Sequence, residues 1–208
     1  MSGLESEYQL LREQVLVPLA DDLNTHLSEL LQGMPRIDRV SARAKTVTSF
    51  MKKAATIGDS GARKYDQPLF QIQDLVGARV TVFYLPDVET ISARLKNYLH
   101  FIETKAVVPD DQWKFGYFGL HFIMPFPSDF DLIRQKSELA PQFFELQIKT
   151  LFQHAWSEAN HDLGYKPEMQ PLDAEDTRSM AFASAQAWGA DRVFRDLSEK
   201  LGVQIPAA

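Results

Sequence analysis

The sequence predicts an α+β fold, a mixed β-sheet flanked by helices, and three features of residue spacing predict it. Leu10, Leu11, Val15, Leu19, Leu23, Leu27, Leu30 and Leu31 recur at helical intervals through residues 5–33. Four runs rich in β-branched and aromatic residues, at 75–85, 101–108, 118–125 and 142–149, read as strands. Helical spacing returns over 150–163 and 174–201, after the last strand. The order is therefore two helices, a strand, a helix, three strands and two helices, which is a sheet with helices packed against it.

Within the first helical stretch Pro18 either kinks the helix or divides it, and "GMP" at 33–35 closes it. A second helix is expected over 38–56. The following "GDSGARKYDQPLFQ" reads as loop, being dense in Gly, Asp and Pro. "LVGARVTVFYL" (75–85) has the composition of a buried strand. "PDVETISARLKNYLH" then places Ile91, Leu95 and Leu99 on one side of a helix that starts at a proline. No internal repeat or evident linker interrupts the chain, so one domain is expected over 1–208, with a helical part at 1–56, a sheet-containing core at 70–166 and a C-terminal helix at 174–201.

The composition removes several classes of function. The chain has no cysteine, which excludes disulfides, thiolate metal sites and a cysteine nucleophile, and which fits the cytoplasm. No apolar run approaches the roughly 18 residues of a membrane span, and "MSGLESEYQLLREQ" lacks the apolar segment of a secretory signal. A formal net charge of -6 argues against a general nucleic-acid coat. Yet Arg36 to Asp66 holds eight Lys or Arg against three Asp, a local excess of +5. Such a run is usually a solvated helix face, and it is also what a polyphosphate ligand requires.

Four constellations could carry chemistry. In "RAKTVTSFMKK", Lys45, Ser49 and Lys53 fall on successive turns of the expected helix, suited to successive phosphates or simply to solvent. In "DLVGARV", Asp74 stands at the entry of an apolar strand, Gly77 permits close backbone approach, and Arg79 lies inside the strand. An arginine there needs a ligand, a route to solvent or an acid, either Asp74 or another. In "KFGYFGLHFI", Tyr117 and His121 share strand parity with Gly119 between them, which makes either a flat slot for a base or an ordinary aromatic sheet face.

The fourth is "ELQIKTLFQHAWSEANHDLGYK" (145–166). Glu145, Gln147 and Lys149 alternate with Leu146, Ile148 and Thr150, so the polar trio shares one strand face. His154, Glu158, His161 and Tyr165 then recur along one helix face. Zinc is a weak reading, because the order is His-x3-Glu-x2-His and no third ligand is evident. The dipeptide "HD" at 161–162 is similarly weak evidence for a metal phosphohydrolase.

Taken in order, the four blocks resemble the synthetase domain of the RelA/SpoT family, which makes the alarmone (p)ppGpp. They stand here as Arg43/Lys45/Ser49/Lys53, Asp74/Gly77/Arg79, Gly116/Tyr117/Gly119/His121 and Glu145/Gln147/Lys149/Thr150, followed by His154, Trp156, His161, Tyr165 and Lys166. The resemblance implies a nucleotidyltransferase-like fold and transfer of the β,γ-pyrophosphate of ATP to the 3′-hydroxyl of GDP or GTP. It implies that Arg43 and Arg79 sandwich the adenine, that Lys45 and Lys53 hold the ATP phosphates, and that Ser49 supports them. Asp74 and Glu145 become the Mg²⁺ carboxylates, with Mn²⁺ as the alternative metal, and Glu145 also orients or deprotonates the attacking hydroxyl. Tyr117 stacks on the acceptor base, with Lys114, His121, Gln147, Lys149 and His154 around the rest of the acceptor; His161 is structural support.

Three departures fall on the acceptor side. Gly119 replaces a serine, Lys149 replaces an arginine, and the lead-in "QWKFGY" keeps Lys114 but loses a proline and an asparagine. The acceptor alternatives are thus an adenosine nucleotide or the 3′ end of tRNA, as in toxic relatives. The resemblance further implies a small stand-alone synthetase, a homo-oligomer, and, for a toxin or effector, a cognate antitoxin or immunity protein. A non-catalytic nucleotide- or RNA-binding module on the same fold is the rival of another class; two retained carboxylates beside polyphosphate ligands argue against it.

Overall fold

The computed structural model describes residues 3–59, 61–107, 111, 114–116, 119–135, 139–164 and 172–203. The chain begins with α1 (Gly3–Leu11), a π-helical stretch (Arg12–Leu16) and α2 (Val17–Leu30). Pro18 follows Val17 just after the π-helical stretch, and the backbone stays in the right-handed helical region across the junction at Leu16 and Val17, where the Val17 amide donates to Arg12 O. Gly33 (φ 78°) turns the chain after α2. Arg36 (φ 60°) follows in the left-handed region and is held by a bidentate ion pair with buried Asp87.

The expected helix over 38–56 is not formed. Residues Ile37–Ala44 make an edge strand, β1, and only Val47–Ala54 is helical, as α3. Two local causes operate. Arg39, Ser41 and Arg43 alternate with Val40, Ala42 and Ala44, so a two-residue period presents the small apolar residues to the core and the polar ones to the other face. Thr46, in extended conformation, then caps α3 by accepting the Ser49 amide at 3.2 Å. Lys45 therefore precedes the helix and does not share a helical face with Ser49 and Lys53.

The remaining elements lie close to their expected places: β2 (Val76–Val82), α5 (Leu85–Lys96), β3 (Glu103–Val107), β4 (Gly119–Pro125), β5 (Phe143–Thr150), α7 (Leu151–Gly164) and α8 (Ala174–Lys200). Two single-turn helices not anticipated, α4 (Pro68–Gln71) and α6 (Asp131–Gln135), lie in connections. The five strands form one mixed sheet in the order β1-β2-β5-β4-β3, with β2 and β5 parallel and the other neighbours antiparallel. One face carries Ala78, Val80, Val82, Phe122, Met124, Phe144, Leu146 and Ile148, all buried, against Leu19, Leu23 and Leu27 of α2 and Ile91 and Leu95 of α5. Among the described residues, no helix is long and apolar enough to cross a membrane.

The N-terminal helix reaches across to the end of β1. Tyr8, fully buried and stacked on Phe50 at 3.7 Å, donates its hydroxyl to the Lys45 carbonyl at 2.8 Å, and Arg12 Nε donates to the same carbonyl at 3.1 Å. The Lys45 amide donates to Leu75 O at 2.8 Å. Tyr8→Phe keeps the stack and removes one donor; urea unfolding should show a loss of about 1 kcal/mol with an unchanged m-value.

Candidate active site

The face of the sheet opposite the core is polar because the register makes it so. Arg43 lies opposite Gly77, Ser41 opposite Arg79 and Arg39 opposite Thr81 across β1 and β2. Gly77 and Arg79 lie opposite Glu145 and Gln147 across β2 and β5, and Gln147 lies opposite His121 on β4. Over this face runs a cleft of about 470 Å³, whose walls include Arg39, Ser41, Arg43, Lys45, Ser49, Asp74, Arg79, Glu145, Gln147, His154, Glu158 and His161.

Asp74 immediately precedes Leu75 and the start of β2. Its Oδ2 is shared by Lys45 at 2.9 Å and Lys53 at 3.0 Å, so the two lysines converge although one comes from a strand end and the other from α3. The other oxygen, Oδ1, is buried without a hydrogen-bond partner among the described residues. Glu145 accepts from His121 Nδ1 and from Gln147 Nε2, each at 2.8 Å. Burial alone would raise the Glu145 pKa, but these two hydrogen bonds and the charges of His121 and Lys53 outweigh it and hold the carboxyl down at about 2. Two carboxylates in one cleft, one with an oxygen left unpaired among the described residues, fit a hard divalent cation such as Mg²⁺ that takes its remaining ligands from water and phosphate.

Arg79 is half-buried, and its partner is Glu158 rather than Asp74. Nη1 donates to Glu158 Oε1 at 2.6 Å and to His154 Nδ1 at 3.0 Å, and Nη2 makes a long contact of 3.5 Å to Gln147 Oε1. Since a guanidinium only donates, His154 Nδ1 accepts and the ring proton lies on Nε2. Burial, reinforced by the Arg79 charge, keeps the His154 pKa below the ordinary imidazole value, which favours this neutral form. Burial would raise Glu158, yet the hydrogen bond and charge of Arg79 lower it. This guanidinium occupies the space between His154 and Glu158 that the zinc reading assigned to a metal.

Several expected site residues stand elsewhere. Lys149 shares the strand parity of Glu145 and Gln147, but it is buried beneath α7, where Nζ donates to Ser157 Oγ at 3.3 Å, and it does not line the cleft. Lys114 is exposed and outside the cleft lining. His121 acts on the cleft through Glu145. His161, expected as structural support, is exposed on the cleft wall. Tyr117, Tyr165 and Lys166 lie outside the described residues. Arg39, Ser41 and the role of Glu158 escaped the sequence reading; the two-residue alternation of "RVSAR" is the signal that reveals the first two.

The α7 wall is tied to α8 behind it. Trp156 Nε1 donates to Met180 O at 3.2 Å, and the Thr150 hydroxyl donates to buried Asp191 at 2.8 Å. Among the described residues Asp191 lacks a partner on its second oxygen, and burial pushes its pKa up to about 6 against the pull of the Thr150 hydrogen bond.

The model of the region found in RelA / SpoT proteins matches residues 42–170, more than half of the chain. A GTP pyrophosphokinase of Bacillus subtilis, YjbM, is 25% identical over 135 residues, and the matched stretch spans 62% of this chain and 57% of that relative's length. A GTP pyrophosphokinase family protein from Streptococcus pneumoniae superposes with a TM-score of 0.72 at 19% identity, covering 97% of this chain and 96% of its own. Small alarmone synthetase 1 of Bacillus subtilis superposes at 0.71 with 18% identity, covering 95% of this chain and 97% of its own, and has also been solved bound to its product pppGpp. At these identities the superpositions establish the fold.

Burial, with the Arg79 and Arg43 charges, lowers the Lys149 pKa from 10.5 to about 7 against the pull of Glu158 and Glu145. The unfolded chain therefore keeps a proton that the folded chain releases, so this lysine destabilises the fold most below pH 7, and the penalty fades as pH rises toward 10.5. Lys149→Met should raise the Tm clearly at pH 6 and hardly at pH 10; an equal gain at both values in thermal unfolding would refute the burial cost.

Proposed function

Because this chain belongs to the RelA/SpoT family, we propose that it is an ATP-dependent pyrophosphotransferase that moves the β,γ-pyrophosphate of ATP to the 3′-hydroxyl of GDP or GTP. The observation that carries this reading is the meeting of two carboxylates, Asp74 and Glu145, with Arg43, Lys45 and Arg79 in one cleft. A polyphosphate needs the cations; a site that only bound it would gain nothing from adding two acids.

In this reading the purine of ATP stacks between Arg43 and Arg79, and the triphosphate runs along Lys45, Lys53 and the Ser49 hydroxyl. The acceptor 3′-oxygen bonds to the β-phosphorus as the link to the α-phosphate breaks, and AMP leaves. Asp74 and Glu145 would hold Mg²⁺, or Mn²⁺ in its place, and the bound ion would neutralise charge on the transferred group. Glu145 would orient the attacking hydroxyl and take its proton as the new bond forms; the hydrogen bonds from His121 and Gln147 keep this carboxyl ionised and able to accept it. Gln147 and His154 face the acceptor from the cleft wall, Tyr117 stacks on its base, and Lys114, His121 and Lys149 support it from farther out.

Lys149, buried where the family pattern has an arginine, favours one second reading: the same transfer to an adenosine nucleotide or to the 3′ end of tRNA. Purified protein with Mg²⁺ and γ-labelled ATP, offered GDP, GTP, ADP or tRNA separately, should label one class of acceptor. No transfer to any of them would sink the proposal. Glu145→Gln should lower kcat by at least about a hundredfold while ATP still binds by calorimetry; near-normal turnover would reject the role given to this carboxylate.

A further inference from the structure

We infer that Glu158, which lies outside the residues assigned to substrates, is a positioning residue that sets the plane of Arg79 for the purine of ATP. The inference rests on the transferase reading and deepens its donor half. The donors of a guanidinium lie in its own plane, so partners at its edge fix that plane and leave both faces open. Here the edge is occupied by Glu158 at 2.6 Å and His154 at 3.0 Å, with Gln147 at 3.5 Å. A base stacks on a face. The edge contacts therefore prepare the stacking surface without competing for it.

The second arginine of the expected sandwich is not prepared in this way. Arg43 is exposed on edge strand β1, opposite Gly77, and among the described residues no hydrogen bond or ion pair holds it. The ordered surface for the purine is thus Arg79. Of its three edge partners only Glu158 is an anion, which makes its bond the charge-assisted one. Without that anion, Arg79 would face the Lys149 side chain with neutral groups alone to hold it. Glu158 is 57% exposed, so the pair adds little to global stability; its effect lies in orientation.

A double-mutant cycle tests this with Glu158→Ala, Arg79→Ala and the pair, read by calorimetric binding of a non-hydrolysable ATP analogue and by steady-state KM values. Glu158→Ala should weaken ATP about five- to tenfold, leave the acceptor KM within about twofold, and leave the Tm nearly unchanged. Glu158→Gln, which keeps an accepting oxygen, should recover part of the loss. In the Arg79→Ala background, removing Glu158 should cost nothing more. Full loss in that background, unchanged ATP affinity, or equal weakening of both substrates would overturn the inference. Failure of the wild-type chain to bind the analogue would overturn the transferase reading and this inference with it, so the binding isotherm of the wild type separates the two failures.

Discussion

The site depends on one pairing, the parallel register of β2 with β5. Gly77 opposite Glu145 and Arg79 opposite Gln147 put the polar residues of both strands on one face. A slip of one residue would exchange Glu145 and Gln147 for Leu146 and Ile148 and send two charged or polar groups into the core. What forbids the slip is apolar: Ala78, Val80, Leu146 and Ile148 are all buried on the reverse face. The core thus chooses the register, and the register assembles the chemistry. Arg79, which looks misplaced in a hydrophobic strand, is an ordinary consequence of a sheet with one packed and one working face.

The working face carries more positive than negative charge before any ligand arrives. Asp74 is shared by two lysines, Arg79 takes Glu158, and Arg39 and Arg43 line the cleft without such a partner among the described residues. Burial is the main cause of the depressed pKa of Lys149, with the Arg79 charge adding to it and the Glu158 and Glu145 charges opposing it. Concentrated like charge destabilises a fold, and a polyanionic ligand relieves it. Strain of this kind belongs at a binding site and has no reason to persist on a passive surface.

The legible parts of the sequence were those whose period and burial agree. β2 and β5 are continuous or alternating apolar runs, and α5, α7 and α8 keep helical spacing, so their positions followed from residue pattern. β1 was misread because Ala42 and Ala44 are strong helix formers; the ladder to β2 and the Thr46 cap, both tertiary or junction effects, overrode that propensity. Lys149 had the right parity and the wrong exposure, because its cover is α7, an element whose tilt no local pattern encodes. Glu158 lay on a helix face that the spacing displayed, but its partner sits 79 positions away in the chain.

The two halves of the cleft are braced from opposite ends of the chain. At the Asp74 end, Tyr8 and Arg12 hold the Lys45 carbonyl while the Lys45 amide holds Leu75, the neighbour of Asp74. At the α7 end, α8 holds the β5–α7 junction through Asp191 and Thr150, holds α7 through Trp156, and takes Gly116 O with the Ser184 hydroxyl at 2.6 Å. Both braces end mainly on main-chain carbonyls, which substitutions at the site leave in place. The α8 brace adds one side-chain pair, Thr150 with the buried acid Asp191, whose second oxygen has no hydrogen-bond partner among the described residues. None of the α8 bonds touches the Lys45–Asp74–Lys53 cluster, so the two braces can vary independently. Gly119 on β4 and Lys149 on β5, both departures from the family pattern, stand apart from that cluster, whereas the Arg43, Lys45, Ser49 and Lys53 block is intact.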